Sequence, residues 1–97
     1  MNGRCKKLAR TLREDEAFFV TSPANVFYLS GFSGEGMLLI APDKAVLITD
    51  FRYIEDAQRR AEGFAVEDIA RGIWQIVPEH IHTFYIEEEH MTVAQLR

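Results

Sequence analysis

Residues 37–49 read MLLIAPDKAVLIT: two apolar runs of strand length on either side of Pro42-Asp43-Lys44. Proline and aspartate are turn formers, so Met37–Ala41 and Ala45–Thr49 pair as an antiparallel hairpin. What flanks the hairpin decides the fold class. Upstream, Cys5, Leu8, Ala9 and Leu12 recur at helical spacing, which gives an amphipathic first helix with one buried stripe. Ala17–Thr21 is a short, continuous apolar run, as in a strand covered on both sides. Ser22-Pro23 then supplies an N-cap and a first-turn proline for a short helix over 24–29, which Gly31 ends.

Downstream, Asp50 is placed to cap a helix from about Tyr53 to Ala61, with Glu55→Arg59 and Asp56→Arg60 as i,i+4 pairs and Gly63 as its stop. Phe64–Glu67 alternates like a half-buried outer strand. Ile73–Ile81 has helical apolar spacing, but Pro78 would kink or restart that helix. Thr83–Glu87 is the last strand, and Thr92 with Gln95 forms a capping box that opens another helix. Helices alternate with strands around an antiparallel hairpin. This order predicts one three-layer α/β domain over 1–97, a mixed sheet with helices on both faces.

The chain has 97 residues, 47% of them hydrophobic and 27% charged, which describes a globular domain and not a disordered tail. Folding a chain of this size hides roughly 60–65% of its surface, enough for a core without metal or disulfide staples. The net charge of −4 argues against a nucleic-acid partner, because phosphates need a basic surface. Charge is unevenly spread all the same: residues 1–13 hold Arg4, Lys6, Lys7, Arg10 and Arg13 and no acid, a pattern read first as a solvated helix face. With Cys5 as the sole cysteine, no disulfide closes within the chain, and a reducing compartment follows. No signal-peptide core follows Lys7, and no run approaches the ~20 apolar residues of a membrane span. These features predict a cytoplasmic protein. The helix opened at Thr92 would end after about one turn, too short to be stable alone, so the natural chain is expected to continue past Arg97.

Few residues suggest chemistry. Cys5 lies on the buried stripe, where a thiol is inert. Ser22, Ser30 and Ser33 are cap and loop residues outside any G-x-S-x-G elbow. His80, His82, Glu87-Glu88-Glu89 and His90 are ligand types, but they lack the tight spacing of a metal site and read as a solvated acidic loop. Gly31, Gly34 and Gly36 precede a strand, whereas phosphate loops precede a helix. Phe27, Tyr28 and Phe32 fill a core or line a rim. Arg52, just past a strand end, either clamps a ligand carboxylate or pairs with Asp50 or Glu55. The residues alone leave these alternatives open.

The runs TSPANVFYLSGFSGEGMLLI, AVLITDFRYIEDAQ and EEEHMTVAQL, in this order and spacing, resemble the N-terminal domain of the Xaa-Pro aminopeptidase/prolidase and creatinase family. The resemblance implies a ribonuclease-H-like layout ahead of a larger catalytic domain. There, two Asp, one His and two Glu hold two divalent metal ions, often manganese, for cleavage before proline. It implies no catalytic or metal-ligating residue in this chain. Its job would be to wall the substrate cleft and contribute to a homodimer. Segments 28–32 and 50–53 would then face the cleft of an enzyme acting on proline-containing dipeptides or short peptides. Arg52 and Tyr53 are the implied polar contacts to substrate, and Tyr28 and Phe32 its apolar wall. Two alternatives share the residues: a creatinase-like domain serving a small non-peptide substrate, and a stand-alone dimerisation or peptide-binding module. A small metal protein built on His80, His82 and His90 is the weakest alternative.

Overall fold

In the computed structural model, which describes residues 1–87, the expected hairpin is the centre of a five-stranded sheet. The strands are β1 (Glu16–Val20), β2 (Met37–Ala41), β3 (Lys44–Thr49), β4 (Ala65–Asp68) and β5 (Thr83–Ile86), in the order β4-β3-β2-β1-β5. β2 runs antiparallel to both neighbours, in register Leu38↔Leu47 with β3 and Phe19↔Leu39 with β1. β5 lies parallel to β1, and β4 parallel to β3. Every strand but β2 therefore points the same way. Four strands finish at one edge of the sheet.

Alternation along the strands splits the core in two. Val20, Leu38, Ile40 and Leu47 face one side, and Ala17, Leu39, Val46 and Ile48 the other. The first side is covered by helices α1 (Gly3–Ala9), α2 (Pro23–Ser30) and α3 (Ile54–Arg60), which bury Cys5, Leu8, Val26, Leu29 and Ala57 against it. The second is covered by a 3₁₀ turn (Ile69–Arg71), the short helix α4 (Ile73–Ile76) and the segment down to Ile81. The result is the expected three-layer mixed α/β domain.

Local departures have physical causes. The helix over 73–81 ends at Ile76, because Val77 precedes Pro78 and is driven extended, with ψ 128°. Pro78 stops the helix and does not restart it. Gly31 ends α2 in the left-handed conformation, φ 80°, as its position predicted. Asp50 does not cap α3, which begins at Ile54. Its carboxylate instead accepts from the Arg52 amide at 2.9 Å and its carbonyl from the Tyr53 amide at 3.0 Å, closing the turn before the helix. Asp56 takes both Arg60 (2.9 Å) and Arg59 (3.3 Å), in place of the Glu55→Arg59 pair. Ser22 holds the N-cap position of α2 without a side-chain capping bond. His90 and the capping box at Thr92 and Gln95 lie outside the described residues.

Candidate functional site

The edge where the four strands finish gathers Thr21-Ser22 after β1, Asp50 after β3, Ile69 after β4 and Glu87 after β5. The loop 31–36 enters β2 at the same edge. Carboxyl ends of strands are where open α/β sheets present binding groups. The loop is tied down by Thr49, whose hydroxyl donates to the Glu35 carbonyl at 2.5 Å. Its glycines allow close approach: a Cβ on Gly34 would stand 2.5 Å from Phe32 Cζ and 3.1 Å from Tyr53 Cδ1. The glycine spacing is therefore conformational, with no phosphate cradle needed to explain it.

Arg52 is the centre of this edge. Its Nε and Nη2 donate to the two oxygens of Asp50 at 3.1 and 2.8 Å, and Glu35 lies 3.9 Å away. Of the two local acids the sequence offered, Asp50 is the partner. The bonded Arg52 guanidinium holds the Asp50 carboxyl below the usual carboxylate range, and Asp50 in turn raises the Arg52 pKa. The Arg52 side chain is 61% exposed, so this pair contributes little to stability in solvent. Its Nη1 donates to no group among the described residues, and a planar guanidinium can take a second carboxylate there. Arg52 also stacks over the Tyr53 ring at 5.3 Å from its centre. Beside the pair is an open hollow of about 210 Å³ lined by Glu35, Met37, Ile48, Thr49, Asp50 and Ile69.

The four predicted site residues separate into two places. Phe32 has no exposed surface and packs edge-on beneath Tyr53 at 6.3 Å, so it supports that ring from the core. Arg52, Tyr53 and Phe32 are thereby brought together. Tyr28 is not with them. Its ring lies under the Arg4 guanidinium at 4.4 Å, and its carbonyl accepts from Arg4 Nη1 at 2.7 Å, in a separate groove between α1 and α2.

Sequence reading missed Glu87. Read as part of a solvated acidic loop, it instead accepts from the Thr21 amide (2.5 Å), the Thr21 hydroxyl (2.8 Å), the Ser22 amide (2.5 Å) and Asn25 Nδ2 (2.7 Å). Its carboxylate thus binds the two amides that lead into α2 and the Asn25 side chain of the first turn, close to the positive end of the helix. Partial burial disfavours its charge, but the bonds from Asn25, Ser22 and Thr21 prevail and lower its pKa. The only local signal was the Thr21-Ser22 approach to a helix start, whose amides needed an acceptor.

Burial pushes the Cys5 thiol up to about 11, partly offset by the chain's amino terminus, which leaves it unreactive. Among the described residues no group of three His, Cys, Asp or Glu could hold a metal ion. The two-metal ligand set implied by the resemblance has no counterpart in them. No helix among the described residues is long and apolar enough to cross a membrane.

The Creatinase/Prolidase N-terminal domain family matches residues 4–97. The chain belongs to this family. The uncharacterized peptidase YqhT of Bacillus subtilis (strain 168) is 36% identical over 73 residues, covering 74% of this chain and 21% of YqhT. The fold superimposes on the Xaa-Pro dipeptidase from Bacillus anthracis with a TM-score of 0.74 and 26% identity, over 96% of this chain and 28% of that one. It also superimposes on the N-terminal domain of the cytoplasmic peptidase PepQ from Mycobacterium tuberculosis H37Rv. There the TM-score is 0.71 and the identity 31%, over 99% of this chain and 81% of that one. The creatinase/prolidase N-terminal domain described here therefore spans between a fifth and a third of the first two relatives.

Proposed function

We propose that this chain is the non-catalytic N-terminal domain of a metal-dependent Xaa-Pro dipeptidase or aminopeptidase, where it walls the substrate cleft and contributes to a homodimer. The observation that carries the reading is the family match over 4–97, together with the similarity to a Bacillus anthracis Xaa-Pro dipeptidase more than three times longer than the matched region. On this reading the catalysis belongs to a C-terminal domain outside these 97 residues, with two divalent metal ions, manganese foremost. Location in the cytoplasm is supported by the naming of PepQ as a cytoplasmic peptidase.

Within the domain, Arg52 and Tyr53 are the contacts to substrate. Arg52 is held by Asp50 yet keeps Nη1 available, so it suits the carboxylate of a short proline-containing peptide. Tyr53 offers a ring fixed from behind by Phe32, whose part is to position and not to touch.

The test begins with the coding sequence beyond Arg97 and an assay of its product on an Xaa-Pro dipeptide with manganese. Hydrolysis is expected, and Arg52→Ala should lower kcat/KM roughly 10- to 100-fold, the worth of one hydrogen bond to a charged group. A reading frame that ends near Arg97, or a full-length product inert on such dipeptides, would overturn the proposal. Turnover of a small non-peptide substrate instead would favour the creatinase-like alternative.

A further inference from the structure

The basic start of the chain remains unexplained by the proposed role at the opposite set of residues. Arg4, Lys6, Lys7 and Arg10 are exposed on α1 and the turn after it, and Arg13 follows. Among the described residues none of these five cations has a carboxylate oxygen within 4.0 Å of its side-chain nitrogens, the ordinary limit of an ion pair. Elsewhere in the described chain the habit is the reverse: Arg52, Arg59, Arg60 and Arg71 each have an acidic partner, and only Lys44 lacks one. The helix accounts for only part of the cluster: Lys6 and Lys7 lie in the last turn of α1, where its dipole favours positive charge. α1 carries no acid in its first turn, and Arg4 stands there, where the helix dipole disfavours positive charge.

The cations border concave surface. A groove of about 560 Å³ runs between α1 and α2 past Arg4, Phe27 and Tyr28, with Arg60 and Glu62 also in its lining, and a second of about 530 Å³, with no acid in its lining, adjoins it at Asn2, Arg4 and Lys7. Arg4 is held at their junction by the Tyr28 ring and carbonyl. Phe27 is 56% exposed on the wall, a large apolar side chain beside a charged rim. A bilayer is flat and would leave the grooves empty. A second copy of this chain set on the patch by a two-fold axis would bring like charges face to face. An extended segment fits both features.

We propose that the α1–α2 grooves dock an extended acidic segment of a different protein, its carboxylates on Arg4 and Lys7 and an apolar side chain against Phe27 and Tyr28. This goes beyond the peptidase reading and does not depend on it.

The probe is a short fluorescein-labelled polyglutamate peptide with one central phenylalanine, titrated into the chain at low ionic strength and followed by anisotropy. Saturable binding is expected. Lys7→Glu should weaken it about tenfold or more, because a like charge then faces the peptide, and Phe27→Ser should weaken it as well. Lys44→Glu makes the same change in net charge outside the lining of either groove and should leave binding nearly unchanged. Failure of the peptide to bind saturably would overturn the proposal, as would equal losses from Lys44→Glu and Lys7→Glu. So would tighter, Lys7-dependent binding to phosphatidylserine vesicles than to the peptide, which would assign the patch to a membrane surface.

Discussion

The two faces of the sheet are made by the same strands and covered very differently. β2 alone gives Leu38 and Ile40 to one face and Leu39 and Ala41 to the other, all with almost no exposure. On the first face the cover is three helices, and even Phe32, a loop residue, is completely buried. On the second the main cover is a four-residue helix stopped by Pro78, and the rim leaves Trp74 76% and Ile86 72% exposed. Strand alternation requires that both faces be covered but does not set how well. The candidate site is attached to the closed face, through Phe32 beneath Tyr53 and Tyr53 beneath Arg52. Its geometry is inherited from the better-packed half of the molecule.

The sharpest way to break this comparison is to open the closed face. Phe32→Ala removes a fully buried ring around which Gly34 has been folded, and should destabilise the chain by about 3–5 kcal/mol. The shift in urea midpoint measures it. A loss below about 1 kcal/mol would mean that the loop collapses into the space and that the closed face is less constrained than its burial indicates.

How far this organisation was legible follows from sequence distance. The hairpin could be read because its strands and turn lie within thirteen consecutive residues and use period and turn chemistry that need no distant partner. The end of α2 could be read because only glycine sits easily at the φ of 80° adopted there. Asp50 was misassigned because capping a helix and closing a turn draw on the same short carboxylate, and only the backbone tells them apart. Tyr28 and Phe32 look alike in sequence, but the left-handed Gly31 between them turns the chain so that one lines the α1–α2 groove and the other enters the core. Glu87 was illegible for the opposite reason from the hairpin: its partners lie 62 to 66 residues away.

Glu87 also joins the two halves of the comparison, since it ties the end of edge strand β5 to the first turn of α2 on the closed face. Glu87→Gln keeps the size of the side chain but brings an amide to a site built from donors, and should lose about 1–3 kcal/mol near neutral pH. The pH dependence identifies the cause. With its folded pKa below the ordinary value of 4.5, the carboxylate contributes its stabilisation above 4.5 and loses it as pH falls through the folded value. The gap between the parent chain and Glu87→Gln should therefore narrow as pH drops below 4.5. Glu16 and Asp50, also lowered, titrate in both proteins and cancel from the difference. A gap that stays constant down to strongly acid pH would show that the variant acts by packing and not through the charge.

The smallest effect belongs on the open face. Trp74 touches Phe84 edge-on at 6.0 Å and otherwise faces solvent, so most of its apolar surface is never removed from water. Surface burial and not ring size sets the hydrophobic gain, so Trp74→Ala should change stability by no more than about 1 kcal/mol, mainly the lost aromatic pair. Phe84 separates the two contributions, because it also stacks on Phe19 at 5.1 Å within the second core cluster. Phe84→Ala should therefore cost more than Trp74→Ala in the same urea measurement. If the order is reversed, Trp74 packs in solution against more than its neighbour on β5. The second face would then be better closed than its exposed rim suggests, and the contrast between the two faces would shrink to a difference in helix length.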